Sequence, residues 1–151
     1  MTQYQPYQGT QVPIERSQAG IRKLFDANRV FAHQYTEDRE SQKFQIRWSR
    51  KLVIEKDGVK KEVLQPCKMQ ISYKGRKPEQ VWRAAFYHLK AKFEAVQFGL
   101  VSYEEEFLPY FETVLPNGNM GTIAEAMIPA LQIGRKPDML ALPEGRSQDM
   151  S

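Results

Sequence analysis

The chain has 151 residues, 41% apolar and 26% charged, which suits one globular domain with an unstapled core. No apolar run approaches the roughly 20 residues of a membrane span, and MTQYQPYQGTQ lacks the basic and apolar regions of a secretion signal, so a cytoplasmic protein is expected. The net charge of +4 is uneven: residues 1–100 carry 19 Lys/Arg against 10 Asp/Glu, and residues 101–151 carry 3 against 8.

Residues 1–12 are rich in Gln and Tyr without periodicity and read as a disordered leader. From Pro13 the spacing of Ile14, Ile21, Leu24 and Phe25 predicts a helix ending near Asn28, weakened at Gly20. RVFAHQY (29–35) reads as a strand. In KFQIRWSRKLVIEK, Phe44, Ile46, Trp48, Leu52 and Ile54 share one face while Gln45, Arg47, Ser49 and Lys51 share the other, the period of a half-buried strand. Asp57-Gly58 supplies the positive φ angles of a two-residue hairpin. Beyond Pro66, Cys67, Met69, Ile71 and Tyr73 alternate with Lys68, Gln70, Ser72 and Lys74, giving another strand with a wet, basic face.

Pro78 opens an amphipathic helix over 79–98, with Trp82, Phe86, Leu89, Phe93 and Val96 facing the sheet and Gly99 ending it. SYEEEFLP (102–109) and TIAEAMIP (122–129) repeat one pattern twenty residues apart. Ser102 and Thr122 can accept a hydrogen bond from the amide three residues on, while Glu105 and Glu125 reach back to the cap, and Pro109 and Pro129 are expected to stop or kink each short helix. LPNGN between them is a turn, and 134–151 reads as a flexible tail. The expected architecture is therefore α+β. It comprises a leader (1–12), one domain (13–133) with an N-terminal helix, an antiparallel sheet of three or four strands, a long covering helix and two short helices, and a tail (134–151).

Candidate chemistry is sparse. Consecutive helical residues point about 100° apart, so Glu104, Glu105 and Glu106 cannot converge on one cation, and a first helical turn favours carboxylates without any site. A metal-dependent hydrolase built on them is the least supported reading. His33 and His88 are far apart, and Lys92 stands where a zinc-binding partner of His88 would be. The one cysteine, Cys67, excludes an internal disulfide and a cysteine-based zinc site. No catalytic residue, metal, cofactor or small-molecule substrate is expected.

The basic surface carries more. Arg47, Lys51, Lys68 and Lys74 lie on strand faces pointing away from the covering helix, and Arg76, Lys77 and Arg83 cluster at its start, where free amides also favour phosphate. These seven residues predict contact with DNA or RNA. The alternative is docking on another protein through the 103–111 segment, with Glu104, Glu106 and Tyr110 outward.

The run WRA (82–84), Lys90-Ala91-Lys92 with Glu94 and Ala95, Gly99, Glu104 to Leu108 and Leu115 to Gly118 resembles a family of small uncharacterised proteins of bacteriophages and prophages. Tyr103 stands where that family usually has Phe, and Met120-Gly121-Thr122-Ile123 departs from its usual T-V-G-E. The resemblance covers about residues 78–125. It implies a phage or mobile-element origin, a host cytoplasm and a small α+β domain, makes a host or phage protein the partner expected of the 103–111 segment, and brings no activity with it.

Overall fold

The computed structural model describes residues 6–134, and they form the expected α+β architecture. Helix α1 (Ile14–Ala27) buries Ser17, Ile21 and Phe25, one residue per turn. It ends at Asn28, whose side-chain amide donates to the Leu24 carbonyl at 2.7 Å. Gly20, which weakened the helix on propensity alone, has a packing reason. A Cβ there would stand 2.6 Å from the Phe86 ring, so the glycine lets α1 lie close to the covering helix.

Strands β1 (Val30–Asp38), β2 (Lys43–Lys56) and β3 (Val59–Ser72) form one antiparallel sheet in that order. The turn between β2 and β3 has φ of 53° at Asp57 and 77° at Gly58, both positive as a tight hairpin of this hand demands. Phe44, Ile46 and Trp48 on β2 and Cys67 and Met69 on β3 are buried on one face. A one-residue slip would carry that row into water at about 1.5–3 kcal/mol per large side chain, so the row fixes the register.

Helix α2 (Pro78–Phe98) covers this face, burying Val81, Trp82, Ala85, Leu89 and Phe93, and closes on Gly99 at φ 80°. A short α3 (Tyr103–Phe107) and a 3-10 turn (Leu108–Tyr110) follow. Both capping boxes are formed: Ser102 with Glu105, and Thr122 with Glu125 at the start of α4 (Ile123–Gln132).

Four details differ from the sequence reading. β3 runs unbroken through Pro66, which pairs with Ser49. Lys56 and Val59 flank the two-residue turn and exchange both backbone hydrogen bonds, so β3 residues of even number direct theirs away from β2, and the missing amide of Pro66 costs no ladder bond. α4 is not stopped by Pro129 but continues to Gln132; the ring is exposed at the helix surface. The LPNGN turn joins two three-residue strands, β4 (Glu112–Val114) and β5 (Met120–Thr122), too short for any period to show. Finally, residues 6–12 of the expected disordered leader lie on α2. Tyr7 stacks on Tyr87 with ring centres 5.4 Å apart, and Gln80 donates to the Pro6 carbonyl. Residues 1–5 and 135–151, the rest of the leader and nearly all of the expected tail, lie outside the described residues.

Candidate nucleic-acid interface

Strand alternation puts Arg47, Lys51 and Lys68 on the sheet face opposite α2, as expected, but the β3 edge of that face is occupied. Phe111 bridges to Cys67 at the free edge of β3, and the chain then folds β4, β5 and α4 around this edge. Glu112 meets the guanidinium of Arg47 with both carboxylate oxygens, at 3.0 and 3.1 Å, and its own side chain is only 4% exposed. Glu125 stands 3.6 Å from Lys68. The carboxylate of Glu125 is held below its usual range, chiefly by the Thr122 backbone amide and also by Lys68. Two cations of the predicted wet face are thus neutralised from within. Beside the Arg47–Glu112 pair an open cleft of about 260 Å³ is lined by Ala32, His33, Gln34 and Ser49, with its guanidinium already committed.

Lys51 is exposed, 4.0 Å from Glu62 and 5.3 Å from the Phe31 ring. Arg83 is turned into an aromatic surround, its guanidinium 5.0 Å from the Phe86 ring centre and 5.5 Å from that of Tyr87. Its Nε is buried without a hydrogen-bond partner.

Lys74, Arg76 and Lys77 behave differently. They occupy the link from β3 to α2, where Gly75 takes φ 74° and the Arg76 amide closes a turn on the Tyr73 carbonyl at 3.0 Å. Arg76 also donates to the Ser72 carbonyl at 2.7 Å. All three are exposed, and none has an ion-pair partner among the described residues. Lys77 is the N-cap of α2 and makes no side-chain cap, with Pro78 next. The positive end of a 21-residue helix, partly offset by Glu79 in its first turn, therefore adds to three cations at one corner.

The predicted protein-docking segment is mostly interior. Tyr103, Phe107 and Phe111 are buried, and the Tyr103 hydroxyl accepts from Trp48 Nε1 at 3.0 Å. Burial raises the Tyr103 phenol far above its usual range. Glu105 is used by the capping box. Glu106, expected to face outward, instead receives the ammonium of Lys92 at 2.7 Å in a half-buried pair. Tyr110, also expected outward, is half-buried with its hydroxyl 3.3 Å from His88 Nε2. Glu104 alone of the three is exposed. The three consecutive glutamates thus serve three different surroundings.

Cys67 is fully buried, and burial pushes its thiol up to about 12. Among the described residues no group of three His, Cys, Asp or Glu side chains could hold a metal ion, and no helix is long and apolar enough to cross a membrane. Sequence reading passed over Lys56, Lys60 and Lys61, which the β2–β3 hairpin holds in solvent. Their signal was the length of the two hairpin strands. No family model, curated protein or solved structure matches this chain.

Proposed function

We propose that this protein is a non-catalytic accessory protein of phage or prophage type that acts in the host cytoplasm by binding nucleic acid. Its contact is electrostatic, with the phosphate backbone, at the corner formed by Lys74, Arg76, Lys77 and the start of α2. The observation that supports this reading is the absence of any ion-pair partner for those three exposed cations among the described residues, beside an uncapped helix start. Arg47, Lys68 and Arg83 take a lesser part, because carboxylates or aromatic rings already engage them. Lys51, 4.0 Å from Glu62, takes a lesser part for the same reason.

The test is an electrophoretic shift with single-stranded and duplex DNA and RNA over a salt series. Retention should weaken steadily with salt, and Lys74→Glu/Arg76→Glu/Lys77→Glu should abolish it across all sequences while the fold persists. Failure of the unaltered protein to retain any of these probes at low salt would sink the reading.

A further inference from the structure

Residues 51–64 of the β2–β3 hairpin have no strand beside them. β1 leaves β2 at Arg50, which pairs with Val30, and the chain returning to the β3 edge first meets it at Cys67. Six residues per strand therefore project about 20 Å as a two-stranded ribbon. Isolated ribbons are marginal in water, and this one is not shielded by polarity. On its helix side the paired rows are Leu52 with Val63, Ile54 with Lys61 and Lys56 with Val59. Ile54 is 45% and Val59 65% exposed. That side carries two lysines and no acid. On the other side the charges are already matched: Glu55 opposes Lys60, and Lys51 stands near Glu62.

A surface of the opposite character lies at the foot of the same ribbon. α3 stands there, with the Arg50 guanidinium 4.0 Å from the Tyr103 ring centre. Phe98 and Leu100, flanking Gly99, are 84% and 76% exposed, and Glu104 and Glu105 in the α3 that follows are exposed as well. The last turn of α2 has no basic residue, and its free carbonyls add negative potential. One chain thus carries an apolar arm with two lysines and an apolar corner with two exposed glutamates, which do not cover each other.

We infer that the occupant of each is a second copy of this chain. Two ribbons lie antiparallel with their helix-side faces together, about 10 Å apart, burying Leu52, Ile54, Val59 and Val63 of both. Each tip then reaches the partner's corner, so that Lys56 and Lys61 of one copy meet the glutamates of the other. The contact is reciprocal, as a two-fold interface must be, and closed, so it ends at a dimer. It is independent of the nucleic-acid corner, which lies at the far end of the sheet.

Charge reversal separates this from every other occupant. The unaltered protein should sediment as a dimer. Lys56→Glu/Lys61→Glu and, separately, Glu104→Lys should each weaken self-association by about tenfold or more. Mixing the two altered chains should restore the dimer, because one contact regains its native lysines and glutamates and the other sets the reversed ribbon against the Glu104→Lys corner. Circular dichroism checks that the altered chains, changed only at exposed positions, remain folded. A monomeric unaltered protein, reversals without effect, or a mixture that stays monomeric would each overturn the proposal. So would a monomer that loses nucleic-acid retention on the ribbon reversals, since the arm would then belong to that partner.

Discussion

Glu104 and Glu106 are two positions apart, yet their environments differ enough to give opposite outcomes on substitution. Glu106→Gln leaves the half-buried Lys92 without its carboxylate and should lower unfolding free energy in denaturant by about 1–3 kcal/mol. Glu104→Gln should leave the stability of the single chain within about 0.5 kcal/mol, because the side chain is exposed and no cap or ion pair within the chain uses it. Beside that pair, burial first and the Lys92 charge second hold His88 below its ordinary 6.5. The unfolded chain then takes up the proton more readily than the folded one. His88 therefore contributes stability that is complete above about pH 6.5 and is lost as pH falls through the lower folded value. Denaturant midpoints should drop between about pH 7.5 and about pH 5.5, and His88→Gln should flatten that slope. The capping boxes were legible in the sequence because their partners are three residues apart. The Lys92–Glu106 pair was not, because fourteen residues and a change of helix separate its members.

At the scale of elements, legibility followed the length over which one period persists. β2, its Asp-Gly turn and α2 repeat a face many times and could be read directly. β4 and β5 have three residues each and exist through pairing with each other, which no local pattern encodes. Gly20 shows local and tertiary demands in conflict. Replacing it with alanine would gain about 1 kcal/mol of helix propensity. The new Cβ, however, would press on a Phe86 ring that packs against Tyr87 and Arg83 and has little room to swing, a strain of about 1–3 kcal/mol. Gly20→Ala should therefore lower the melting temperature, and adding Phe86→Leu should recover part of the loss. A melting temperature raised by the single change would show that α1 and α2 pack less closely than described.

For the whole molecule, the uneven charge along the chain acquires a second meaning. The acidic last third does not simply trail a basic body. Glu106, Glu112 and Glu125 return to Lys92, Arg47 and Lys68, so part of the attraction that suggested an anionic partner is satisfied within the fold. Outward cations remain on α1 (Arg16, Arg22 and Lys23), at the corner before α2 and on the projecting ribbon, and a salt series on variants of each can tell them apart. The pairing also means that the C-terminal segment borders the β3 edge of the sheet's second face, while Gln34, Thr36, Arg47 and Gln70 on that face stay exposed. Cys67 lies where these layers meet, between the Tyr103 hydroxyl and the β3 edge, with no surface of its own. A sulfhydryl reagent can reach it only after the segment from α3 to β4 that covers it, or the fold as a whole, has opened. The lone cysteine is thus a built-in clock, whose labelling rate counts how often the protein opens, while every cysteine introduced elsewhere can be tagged against a silent background.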